Sequence, residues 1–154
     1  MRCKRTGLTF ALIILALLGC SSPIGYEAGL PQPGVLQLAQ NNEVLVPPQV
    51  LIAPDTVNAG EAFDVITTTI GMNGCWSASG QSWRTLDHVI EITPHDVYSG
   101  AGVCTEILLY LRHTSAVTIE EPGEWLLRVQ GRRVRPDRVA FEEAVVVEKS
   151  VVVR

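Results

Sequence analysis

The sequence predicts an all-β domain, a sandwich of about seven short strands that follows a signal peptide and a linker. Three observations carry this. The 111 residues from Val44 to Arg154 are rich in Val, Ile and Thr. Their apolar residues come in short runs, several with alternating polarity, and no stretch keeps a helical period. Turn residues such as Asn58-Ala59-Gly60 and Tyr98-Ser99-Gly100 interrupt the runs.

The clearest strand is Glu124 to Gln130, introduced by the Pro122-Gly123 turn. Trp125, Leu127 and Val129 share one face and Arg128 and Gln130 the other, with Leu126 as the misfit. The remaining candidates are Gln49 to Ala53, Ala62 to Ile70, His88 to Thr93, Glu106 to Arg112, Ala116 to Ile119 and Ala144 to Val153. Two phrases add to the pattern: Asn58-Ala59-Gly60-Glu61-Ala62-Phe63-Asp64-Val65, and Glu121-Pro122-Gly123-Glu124-Trp125 continuing to Gly131. Each resembles a recurrent phrase of bacterial immunoglobulin-like domains, the first opening an early strand and the second forming a late one. The resemblance implies an immunoglobulin-like β-sandwich and carries no active site.

The chain has 154 residues, 47% hydrophobic and 18% charged, which suits one domain with attached segments and excludes both a large multidomain enzyme and a wholly disordered protein. A net charge of -4 argues against nucleic acid as a partner.

Arg2, Lys4 and Arg5 form a positive n-region, and Leu8 to Leu18 is an eleven-residue run, apolar apart from Thr9. Such a run is too short to cross a hydrocarbon core that needs about 20 helical residues, so it reads as a secretory signal. Its end, Leu17-Leu18-Gly19-Cys20, resembles the lipobox of bacterial lipoproteins, departing only at Leu18, where that family more often carries Ala, Ser or Thr. The resemblance implies a signal peptide over residues 1–19 and lipidation of Cys20, which becomes the new N-terminus. It also implies a cell-envelope location, the outer membrane being favoured by Ser21 after the cysteine. Loss of Arg2, Lys4 and Arg5 leaves nine basic against sixteen acidic groups, a net of -7, so the lipid rather than electrostatic attraction is expected to hold the protein to the membrane.

Residues 20–43 read as the lipidated N-terminus and a flexible linker, with Pro23, Pro31 and Pro33, three glycines and a Gln/Asn cluster. A first strand at Val35 to Leu38 is the competing reading. The domain is then expected over residues 44–154. With Cys3 and Cys20 assigned to signal and anchor, Cys75 and Cys104 remain as an even pair in an oxidising compartment, and a disulfide between them is expected. In the following strand Cys104 lies off the apolar parity of Ile107, Leu109 and Leu111, so the bridge is expected to staple a loop from Gly74 to Ser82 to the start of that strand.

Groupings that carry chemistry are sparse. Asp87-His88 and His95-Asp96 offer imidazoles and carboxylates that would converge only if the segment folded back around Pro94. Strand parity with Ile90 and Ile92 makes His88 a core-edge residue instead, and His95-Asp96 reads as a turn. No metal site, catalytic residue or cofactor is therefore expected. Two binding surfaces are candidates. One is the arginine cluster Arg128, Arg132, Arg133, Arg135 and Arg138, projected on a hairpin arm and suited to phosphate or carboxylate, with Glu120, Glu121, Glu124, Glu142 and Glu143 as counter-charges. The other is the bridged loop with Trp76 and Trp83. The function expected is a membrane-anchored, non-catalytic envelope module, its partner an envelope protein or an anionic glycan. The alternative is a small periplasmic metal-binding or hydrolytic lipoprotein using His88, His95 and nearby carboxylates.

Overall fold

The computed structural model describes residues 26–40, 43–135 and 142–154, which form strands and no helix. The strands in chain order are β1 (Pro31–Pro33), β2 (Val35–Gln40), β3 (Glu43–Leu45), β4 (Leu51–Ile52), β5 (Thr56–Val57), β6 (Ala62–Gly71), β7 (Trp76–Leu86), β8 (Val89–Tyr98), β9 (Leu109–Thr118), β10 (Gly123–Val134) and β11 (Glu142–Val153).

They make two sheets in a sandwich-like arrangement. In the larger sheet β8 pairs antiparallel with β7 and parallel with β10, and β10 pairs antiparallel with β11 along its whole length. The smaller sheet is β4-β6-β9. Alternation does the building. Phe63 and Val65 of β6, Val117 of β9, Ile90 and Ile92 of β8, Trp125, Leu127 and Val129 of β10, and Val151 and Val153 of β11 interlock in one buried core. Burying each such side chain contributes on the order of 1.5–3 kcal/mol.

The all-β expectation holds, with four changes in detail. First, the segment read as linker contains β1 and β2, and Val35 and Leu36 are buried. The competing strand at Val35 is the one present. β1 runs antiparallel to β8 and β2 parallel to β10, so the chain reverses at Gly34. The Gly34 N–H donates to Pro94 O, and Arg132 N–H donates to Gly34 O. Val35 and Leu38 then join Ile70 and Val134 in a second small core. Proline and glycine are thus used here as the means of reversal, which composition alone reads as a linker.

Second, Gly74 to Ser82 is largely strand. β7 and β8 form a hairpin whose two-residue turn is Asp87-His88, with Leu86 opposite Val89 and Asp87 at a φ of 52°. Third, Glu106 to Arg112 and Ala116 to Ile119 are not separate strands, since β9 runs unbroken from Leu109 to Thr118. Fourth, β10 extends to Val134, so Arg128, Arg132 and Arg133 lie within a paired strand and not on a projecting arm.

Gly34 is a position where the fold leaves no room for a side chain. A Cβ there would overlap the Thr69 methyl group and stand 3.0 Å from Asp96 Oδ2. Gly34→Ala is expected to cost roughly 1–3 kcal/mol through overpacking. The check is the urea midpoint, which should fall at unchanged slope. An unchanged midpoint would mean that β1 and β2 do not pack against β6 as described.

Candidate functional site

The inward parity of the sandwich changes character along its length. At one end it is apolar, and toward the other it carries Thr67 and Thr69 of β6, Asp96 of β8, and His113 and Ser115 of β9. Thr69 Oγ1 donates to Asp96 Oδ1 at 2.9 Å, and His113 Nε2 lies 3.0 Å from Thr69 Oγ1 and 3.1 Å from Asp96 Oδ1. The other ring nitrogen, Nδ1, is 2.9 Å from the Gly80 carbonyl. A carbonyl only accepts, so Nδ1 carries a proton.

Gly80 reaches this position because β7 is irregular. Its register with β8 shifts between Ala78 and Gln81, and Gly80 takes a φ of 90°, a conformation glycine adopts without steric cost. The irregularity also turns Gln81 toward the smaller sheet. Its Nε2 donates to Val65 O at 2.9 Å and to Ser115 Oγ at 2.6 Å, while its Oε1 accepts from Thr67 Oγ1 at 2.7 Å. Gln81 and His113 together tie β7 to β6 and β9.

A hydroxyl, an imidazole and a carboxylate in contact are the residue types of nucleophilic catalysis, but a substrate has to reach them. Thr69 and Asp96 have no exposed surface and His113 has 2%. The trio can therefore bridge the two sheets, and its geometry offers no approach for a reacting group. Asp96 Oδ2 is buried without a hydrogen-bond partner.

The groups singled out in the sequence fall in different places. Cys75 and Cys104 are bonded, which joins the β6–β7 turn to the β8–β9 loop rather than to a strand. Trp76 is buried and fills the end of the sandwich. It meets Tyr26 edge-on at 4.9 Å and Tyr98 at 5.4 Å. Burial pushes the Tyr26 hydroxyl above its ordinary pKa, against the opposing pull of the Arg132 guanidinium. Trp83 is 42% exposed on β7. It borders an open depression of about 380 Å³ lined also by Ser82, Arg84, Glu91, Thr93 and Gln130.

The arginines are matched by glutamates across strands: Arg128 with Glu148 at 2.7 Å, Arg132 with Glu142 at 2.8 Å and Arg133 with Glu143 at 2.9 Å. Arg133 also donates to Gln37 Oε1. Residues 1–25 and Arg138 lie outside the described residues.

His88 and His95 do not converge. His88 sits in the β7–β8 turn, 3.6 Å from Glu121 and against the Trp125 ring, whereas His95 lies seven residues on in β8 and contacts Ser82 Oγ at 3.0 Å. Seven residues of strand separate them by about 23 Å. Asp96, read from sequence as part of a turn, is instead an inward-facing strand residue. His113 was missed altogether, although it shares parity with Leu109, Leu111 and Val117.

No family model matches this chain, and no solved structure matches it. Among curated proteins, a cytoplasmic dynein heavy chain from Fusarium vanettenii is 30% identical over 74 residues, 48% of this chain. The match spans 2% of that protein's length, and no family is assigned from it.

Proposed function

We propose that the protein is a lipid-tethered envelope module of immunoglobulin-like architecture, non-catalytic, which binds a partner at the exposed β7 surface around Trp83. The observation that carries the anchor is the Gly19-Cys20 junction at the end of an eleven-residue apolar run with a positive flank. Two facing sheets, the larger one mixed and the smaller one antiparallel, support a sandwich architecture.

Of the surfaces considered for a partner, Trp76 is buried and Arg128, Arg132 and Arg133 are ion-paired. Trp83 combines a large exposed ring with a neighbouring depression that holds both polar and charged groups, the combination that supplies binding anchors. An envelope protein or a glycan suits this chemistry. The metal-binding or hydrolytic reading has less support, because His88 in the β7–β8 turn and His95 within β8 stand about 23 Å apart along the strand and the Thr69, Asp96 and His113 cluster is sealed.

Two measurements test the reading. Intact mass of the mature protein should show an acylated Cys20, and Cys20→Ser should release the protein from membranes. An unmodified terminus elsewhere, or a Cys20→Ser variant that stays membrane-bound, would refute the anchor. Trp83→Ala should lower recovery of captured envelope partners at least tenfold, about 1.4 kcal/mol. It should change stability by less than about 1 kcal/mol because the side chain is half exposed. Full recovery of every partner would remove Trp83 from the surface.

A further inference from the structure

The described chain begins at one end of the sandwich. Gly29 N–H donates to Tyr98 O at 2.8 Å, where β8 finishes, and the Tyr26 ring packs on Trp76 at the start of β7. The same end carries the last residues of β2 and β10, the first of β3 and β11, the β6–β7 turn and the β8–β9 loop from Ser99 to Leu108. If Cys20 is the lipidated residue, only five residues separate it from Tyr26, not the 23 of the expected linker. Fully extended, that span reaches about 20 Å. This end of the domain is therefore confined close to the surface that holds the acyl chains.

The loop face of this end fits that neighbour, while Glu43, Glu142 and Glu143 mark its polar side. Val103 is 91% exposed, and Leu30, Val44, Ile107 and Leu108 are each about half exposed. Leu108 and Val44 line one groove of about 300 Å³ with Leu38 and Leu45, Gln40 and Glu43 supplying its polar rim. From Ser99 to Leu108 the loop carries one charged side chain, Glu106. The loop is also held in place: the Cys75–Cys104 disulfide crosses it, and Gly74 N–H donates to Thr105 O at 2.9 Å. A pinned loop presents its apolar side chains in a fixed direction, with less ordering entropy lost when they are covered.

We propose that this end of the sandwich rests on the phospholipid bilayer, with Val103, Ile107 and Leu108 inserted at the headgroup boundary. The proposal deepens the lipid-anchor reading and rests on it. The lipid supplies attachment, and the loop fixes orientation, leaving Trp83 on the flank of the sandwich available to a partner. A side chain at such a boundary sits about 5–10 Å deep, within reach of quenchers on the acyl chains.

The test uses the full acylated protein in phosphatidylethanolamine/phosphatidylglycerol vesicles, with tryptophan reporters introduced as Val103→Trp or, at the opposite end, Leu86→Trp. Brominated acyl chains should quench the added Val103→Trp emission at least about twofold more than the added Leu86→Trp emission, with a blue shift only in the former. Equal quenching of the two overturns the orientation even when intact mass shows Cys20 acylated. An unmodified Cys20 overturns the anchor reading and this one with it. A blue shift that appears only at high protein-to-lipid ratio assigns the face to a second copy and also overturns the proposal. Because Val103 is almost wholly exposed, its replacement should leave the fold intact, which an unchanged unfolding midpoint verifies.

Discussion

Asp96→Ala is expected to destabilise the domain by about 3–5 kcal/mol, because it strips the partner from a buried imidazole and leaves Thr69 without its acceptor. For a domain of this size the loss corresponds to a fall in Tm on the order of 10–20 °C. His113→Ala should cost a similar amount, since it leaves the Asp96 carboxylate buried without its imidazole neighbour and frees the Gly80 carbonyl. The informative variant is the double one. Once both groups are gone there is no stranded charge, so the pair of substitutions should cost well below the sum of the two, with a coupling of at least about 2 kcal/mol. Additive effects would show that the 3.1 Å contact carries no mutual stabilisation and that each side chain acts through its own packing. The same experiment bears on activity. A cluster that only bridges sheets predicts that loss of stability and loss of partner capture separate, with capture retained below the unfolding transition.

The alternation of Trp125, Leu127 and Val129, and of Val151 and Val153, was legible in the sequence because one face of each strand meets an apolar layer. The polar half of the core was not. Thr67, Thr69, Asp96 and His113 occupy inward positions of strands recognised in whole or in part. Pattern reading assigns a polar residue to solvent unless its partner is known, and these partners lie 14 to 44 positions away in the chain. Parity alone held the signal: in β9 His113 falls on the same face as Leu109, Leu111 and Val117.

β7 was illegible for a related reason. It is an edge strand, exposed along nearly all its length after Trp76, so WSASGQSWRTL shows no hydrophobic alternation. Only its pairing with β8 and the Asp87-His88 turn make it a strand. The Pro and Gly content of residues 20–43 misled in the opposite direction, because Gly34 is required by close approach to Thr69 and Asp96, not by flexibility. For the binding surfaces, the sequence offered five arginines and two tryptophans. Cross-strand glutamates and burial then removed most of them, which only register and layer order can reveal.

Reduction of the bridge, or the double substitution Cys75→Ala/Cys104→Ala, is expected to cost about 3–4 kcal/mol, the loop-closure entropy of a segment near 30 residues. The bond spans 29 positions and links the β6–β7 turn to the β8–β9 loop, two connections otherwise joined by the backbone bonds Gly74 N–H to Thr105 O and Ser99 N–H to Cys75 O. Removing it should therefore act in two ways. The unfolded chain gains freedom, which lowers Tm by roughly 10 °C or more. The native loop from Ser99 to Leu108 also loses its tie to the turn beside Trp76, so amide exchange there should accelerate more than in β10 or β11. A uniform rise in exchange would mean that the bond acts on the unfolded chain alone. An unchanged Tm together with two free thiols in the oxidised protein would mean that the pair is not bonded. If the loop is the part that rests on the bilayer, the reduced protein should also lose the selective quenching of the Val103→Trp reporter while Cys20 keeps it on the membrane, which separates anchoring from orientation in one sample.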